Sequence, residues 1–136
     1  MEPLGMNGLV AAVVTPMNSE GEIDLSIVPA IVDHLERNKI CGVYIAGSTG
    51  EGMSLTDRER QGVAEAYLEH CRGRLRTVVQ VGHNSMRAAA ALAAHAESCG
   101  ADAISATPTG YFQAEGEEGP VEAMAGSAGG APDNPF

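Results

Sequence analysis

The chain has 136 residues, 44% of them hydrophobic, and a formal net charge of −10. That length suffices for one buried core, while the acidic balance argues against nucleic acid, whose phosphates reward lysine and arginine. No apolar run approaches the ~20 residues of a membrane helix, and Met1 to Leu4 lack the basic and apolar regions of a secretory signal, so a cytoplasmic location is expected.

In chain order, Leu9 to Val14 is a continuous apolar run ending at Thr15 and Pro16. It lacks the alternation of a half-exposed strand and reads as a strand buried on both faces. Asn18 to Glu22 is a polar turn, after which Asp24 or Ser26 can cap a helix carrying Val28, Ile31, Val32 and Leu35 at helical spacing. Pro29 falls near its first turn, where proline is tolerated. Gly42 to Ala46 is a second extended run. Thr56 and Glu59 then have the spacing of a capping box, and Val63, Tyr67 and Cys71 stripe the helix that follows, which Gly73 ends.

Thr77 to Gly82 is a third strand, leading into His83, Asn84 and Ser85. Ser85 can cap an alanine-rich helix from Met86 to about Ser98. Gly100 closes it, and Ala101 to Ala106 is the fourth strand, ending at Thr107 and Pro108. Strands alternating with helices at this spacing imply a parallel α/β sheet, doubly wound or barrel. The texture changes after Phe112. Residues 113–136 hold five acidic residues, no basic ones, and Gly126, Gly129 and Gly130. The expected organisation is therefore a (β/α) unit over 1–112 and a tail of weak helix and loop over 113–136.

The chain is organised around Gly47, Ser48, Thr49, Gly50 and Glu51, between the second strand and its helix. The run has neither the lysine of a Walker loop nor the glycine order of a dinucleotide fingerprint. It offers two hydroxyls and several amides at a helix entrance, a geometry suited to a carboxylate. The alternative is an ordinary βα turn with a local cap. Glu51 is a candidate base, or a partner for nearby backbone. His83 lies at the end of the third strand, on the same face. His34, His70 and His95 sit on helices without metal-ligand spacing, and no zinc, flavin or nucleotide signature is present. Cys41, Cys71 and Cys99 form no Cys-x-x-Cys pair and read as buried, reduced thiols. Tyr44 reads as core. Neither a cofactor nor a metal is expected.

The run from Gly8 to Pro16, the run from Gly47 to Leu55, Val81 with Gly82, and Gly100 to Ala103 together resemble the N-acetylneuraminate lyase and dihydrodipicolinate synthase family. Ala131 to Phe136 is similar to the approach to that family's fifth strand. The likeness covers nearly all of this chain but about the first half of a family member. Ser48 and the Ala131 to Phe136 ending lean toward the sialic acid lyase branch. The resemblance implies about four βα units of a (β/α)₈ barrel of ~250 residues, in a homotetrameric class I aldolase whose partners are small molecules bearing a pyruvate moiety. It further implies that Ser48 and Thr49 hold the pyruvate carboxylate and relay a proton. Gly47 and Gly50 would keep the turn tight, and Tyr111 (or Phe112) would fall near an aromatic pair after strand four. Thr109 and Gly110 depart from the usual aromatic run there.

Such chemistry needs a lysine amine in a dry pocket. The sequence has one lysine, Lys39, ahead of the second strand and so at the opposite end of the sheet from the site. The 136 residues alone are therefore expected to be inactive. The activity implied for the family is cleavage of N-acetylneuraminate to N-acetylmannosamine and pyruvate through a Schiff base. The alternatives are a pyruvate–aldehyde condensation of the dihydrodipicolinate synthase type, or a non-catalytic half-barrel whose open edges favour association.

Overall fold

The structure is a computed structural model and describes residues 5–107. Four strands, β1 (Val10–Ala12), β2 (Gly42–Ile45), β3 (Arg76–Gln80) and β4 (Ala103–Ser105), form one sheet in the order β1-β2-β3-β4. Every pairing is parallel. Between them run α1 (Val28–Arg37), α2 (Asp57–Cys71) and α3 (Met86–Ser98). The expected boundary at residue 112 and the tail 113–136 lie outside the described residues, as does Tyr111.

The helix termini follow from local chemistry. Thr56 accepts from the Glu59 amide at 3.3 Å, and the Glu59 carboxylate accepts from the Thr56 amide at 2.7 Å. This is the reciprocal capping box that the sequence carries at α2. Ser85 Oγ accepts from the Ala88 amide at the start of α3. Asp24 caps a short 3-10 turn, Leu25–Ile27, rather than α1 itself; α1 starts one residue after Ile27 with Pro29 in its first turn. Gly73 and Gly100 follow α2 and α3 with φ of 73° and 86°, the left-handed conformation that releases the chain into the next strand.

Register and burial divide the sheet into two unlike faces. Val43, Ile45, Thr77, Val79 and Ile104 point under the helices and are buried, against Val28 and Val32 of α1, Val63, Tyr67 and Cys71 of α2, and Leu92, Ala93 and Ala96 of α3. Each fully buried side chain of this size contributes roughly 1.5–3 kcal/mol. On the other face Val10 and Ala12 are exposed and Tyr44, Val78 and Ser105 are partly buried. The first run is thus not buried on both faces as expected: Leu9, Val10 and Val14 are 74%, 42% and 48% exposed. The physical reason is that β1 is a sheet edge whose inward face meets no other described layer. The continuous apolar pattern records a requirement for two-sided burial that residues 5–107 meet on one side.

Polar ties fix the amino-terminal end of the sheet. Asp102 Oδ2 accepts from the amide and hydroxyl of Thr77, while the Thr77 hydroxyl oxygen accepts from the Asp102 amide. Arg74, just past α2, donates to Asp33 and Glu36 of α1, each at 2.6 Å.

Candidate functional site at the end of the second strand

β2 ends at Ile45, and the chain turns immediately. Ala46 takes φ 56° and Glu51 φ 53°, left-handed values that cost a non-glycine residue about 1–2 kcal/mol each. Such strain persists where surrounding structure over-determines it, and it clusters at binding turns. Here the constraints are visible. The Gly52 amide donates to Gly47 O and the Glu51 amide to Ser48 O, both at 3.1 Å. The Thr15 hydroxyl, from the segment after β1, donates to Gly50 O at 2.7 Å. A Cβ at Gly52 would lie 1.9 Å from Ala46 O, and one at Gly50 would lie 2.9 Å from Val13 O. Glycine is required at both.

This clamp leaves Ser48 and Thr49 at the exposed apex, between buried Gly47 and Gly50. Among the described residues neither hydroxyl has a hydrogen-bond partner, and the amides of Ser48, Thr49 and Gly50 donate to no described carbonyl or side chain. Two hydroxyls and three amides without a described partner therefore lie on three consecutive residues of one constrained turn. A carboxylate accepts several such donors at once. The helix-dipole part of the sequence reading needs correction. A 3-10 turn, Gly52–Ser54, separates the apex from α2, and the α2 entrance is already capped by Thr56. The free donors thus belong to the turn itself and not to a helix entrance.

The remaining sequence candidates separate cleanly. Glu51 is exposed, and no side-chain cap bond is present at it; its amide and carbonyl, not its carboxylate, serve the turn. His83 Nδ1 accepts from the Ser85 amide at 2.8 Å and Nε2 lies 3.6 Å from Asp57 Oδ1, so its ring is engaged in joining the starts of α2 and α3. Lys39 is exposed ahead of β2, at the far end of the sheet. A cleft lined by Leu68, Arg72, Arg74 and Asp102 also opens at that far end and has no part in this site.

Two contributors escaped the sequence reading. Tyr44 reads as core from the sequence. It is half-buried on the open face, its ring packs under Gly47, and its hydroxyl is 3.0 Å from Ser105 Oγ. Arg60 of α2 is 3% exposed. Its guanidinium donates to Gly82 O at 3.0 Å and to Gln80 O and Oε1 at 2.7 and 2.6 Å, fixing the end of β3 beside the site. Gln80 in turn donates to the Thr107 hydroxyl at 3.2 Å, extending the network past β4. Burial lowers the Arg60 pKa, partly offset by Asp57. The only signal in the sequence was its position three residues before Val63, in line with the buried stripe of α2.

The profile of the dihydrodipicolinate synthetase family matches residues 5–120. The chain belongs to that family. It is 46% identical over 110 residues to N-acetylneuraminate lyase of Danio rerio, covering 79% of this chain and 36% of the relative. It is 39% identical over 133 residues to N-acetylneuraminate lyase A of Xenopus laevis, covering 96% and 44%. Among solved structures it is similar to Proteus mirabilis N-acetylneuraminate lyase, with a TM-score of 0.92 at 31% identity over 95% of this chain and 44% of that one. A dihydrodipicolinate synthase gives 0.84 at 27% identity over 94% and 43%. The chain thus spans less than half the length of these relatives, and its four strands and three helices match part of a TIM-barrel aldolase fold.

Proposed function

We propose that this chain carries the pyruvate-binding turn of an aldolase-type carbon–carbon lyase, one that cleaves N-acetylneuraminate to N-acetylmannosamine and pyruvate. The observation that carries this reading is the turn from Gly47 to Gly50. Its hydroxyls and amides, without a partner among the described residues, stand just past the carboxyl end of a parallel strand, where α/β barrels place their chemistry. The N-acetylneuraminate lyases among its relatives support the sugar-acid substrate over the aldehyde of the synthase branch.

In this reading the carboxylate of the keto acid accepts from Ser48, Thr49 and the turn amides. That contact fixes the carbonyl carbon for attack by a lysine amine and holds the keto acid through the step that follows. Imine formation expels water; the β-hydroxyl then loses its proton and becomes the aldehyde of N-acetylmannosamine as the bond between the α and β carbons breaks. The electron pair of that bond passes into an enamine, which takes up a proton at the α carbon before water hydrolyses the imine and frees pyruvate. Ser48 and Thr49, exchanging one proton along a hydroxyl pair, serve as a relay. The amine is supplied from outside these 136 residues, since Lys39 stands at the wrong end of the sheet. Assembly as a homotetramer, with Tyr111 near a neighbouring site, completes the reading.

The test is a chimera in which this chain replaces the matching segment of the Danio rerio lyase. Release of pyruvate from N-acetylneuraminate, abolished by Ser48→Ala with Thr49→Val, is the expected result. A folded chimera that forms the lysine imine with pyruvate yet cleaves no sugar acid would overturn the sugar-acid assignment.

A further inference from the structure

On the helical layer, away from the Gly47 to Gly50 turn, three chemically distinct donors come together. His95 and Cys99 lie four residues apart on the last turn and C-cap of α3, so they share one face. Glu65 projects from the neighbouring helix α2. His95 Nε2 is 2.8 Å from Glu65 Oε1 and 3.7 Å from Cys99 Sγ, and all three donor atoms lie within 4.8 Å of one another.

We propose that Glu65, His95 and Cys99 form a binding site for a zinc-like divalent transition metal bridging α2 and α3. Geometry favours it. With ordinary zinc bond lengths and tetrahedral angles, a coordinated imidazole nitrogen and thiolate sulfur stand about 3.6 Å apart, and a nitrogen and carboxylate oxygen about 3.4 Å. The His95–Cys99 separation already has that value. Glu65 needs to withdraw by roughly half an ångström from its present 2.8 Å, which its solvent-exposed side chain permits. The donor set also selects the ion, because thiolate with imidazole suits zinc, whereas magnesium and calcium prefer oxygen.

The surroundings are consistent with a cation. The site sits at the carboxyl end of α3, where the helix dipole favours positive charge. His95 is largely shielded, its side chain 20% exposed, while Glu65 opens to solvent. Three protein ligands leave a fourth position for water. Binding displaces one proton, from the Cys99 thiol, and takes His95 neutral through Nε2. The rival account is a Glu65–His95 ion pair beside an inert thiol.

The whole chain, stripped of metal by a chelator, is titrated with Co²⁺ alone and then with Zn²⁺. The expected result is thiolate-to-cobalt charge-transfer absorption saturating at one equivalent, displaced by Zn²⁺, and weakening as pH falls. Cys99→Ser abolishes the band, while Cys41→Ser leaves it intact. His95→Gln lowers Zn²⁺ affinity by about a hundredfold or more, since even outer partners of metal ligands are worth 10–100-fold. Circular dichroism of each variant confirms that α3 remains folded. Absence of the band in the folded chain, or its survival in folded Cys99→Ser, would overturn the proposal. Both readouts are independent of lyase activity.

Discussion

The ring of Tyr44 lies so close beneath Gly47 that a Cβ on residue 47 would fall 2.4 Å from its Cε1 atom. The same ring reaches Ser105 on β4 through its hydroxyl. The first residue of the turn is therefore constrained by a side chain that also spans the open face of the sheet. Gly47→Ala is expected to push the ring aside and break the Tyr44–Ser105 contact. Because the obstacle is a side chain that can rotate, the stability loss should be about 1–3 kcal/mol, measurable by urea unfolding.

Gly52→Ala should cost more. The atom in the way is the backbone oxygen of Ala46, 1.9 Å from the new Cβ, and Ala46 is already held at a left-handed φ. A loss of at least about 3 kcal/mol, the upper end for overpacking, is expected in the same measurement. Equal stability of the two glycine variants would show that the turn is softer than its contacts indicate.

Arg60→Leu removes a buried charge but strands the carbonyls of Gln80 and Gly82. Each buried unsatisfied acceptor costs about 1–3 kcal/mol, so a loss near 3 kcal/mol is expected, with faster hydrogen exchange at the end of β3. Arg60→Lys should rescue little, since a single ammonium cannot reproduce the spread of guanidinium bonds to both residues.

Alkaline pH should destabilise the fold through two buried acids, Cys71 and Tyr67. Burial raises the Cys71 thiol to about 11 and the Tyr67 hydroxyl to about 12. Tyr67 is fully buried and donates to Val14 O at 2.8 Å. Both groups are neutral in the fold and their folded pKa values lie above the unfolded ones. Their contribution is complete below about pH 9 and is lost as pH rises toward 12. Far-UV circular dichroism against pH checks this, and Cys71 should stay unreactive to thiol reagents near neutral pH.

Much of this architecture was legible because its determinants are local. The Thr56 and Glu59 capping box and Ser85 before Met86 are read from spacing alone, and the structure places both helix starts there. The four parallel strands follow from apolar runs spaced by helices. What escaped depends on distant partners. Arg60 reads as one more charge on a polar helix until Gln80 and Gly82 are brought over it. His95 and Cys99 gain meaning only when α2 delivers Glu65. The exposure of Val10 follows from the open face of the sheet, which no pattern within β1 encodes.

Treatment of the isolated chain with pyruvate and borohydride should leave no covalent adduct, because its only lysine is Lys39, at the end of the sheet opposite Ser48. An adduct on Lys39 would refute the assignment of the nucleophile to a position outside these residues.

The role of the turn itself is tested most directly by titrating the isotopically labelled chain with pyruvate and following backbone amide resonances. The Ser48, Thr49 and Gly50 amides should shift saturably with pyruvate and not with its uncharged amide analogue. In Ser48→Ala with Thr49→Val, whose exposed positions should leave stability within about 0.5 kcal/mol, affinity should fall about tenfold to a hundredfold, as expected for lost hydrogen bonds to a charged group. Unmoved amides at saturating pyruvate, or equal affinity in the double variant, would contradict the carboxylate cradle.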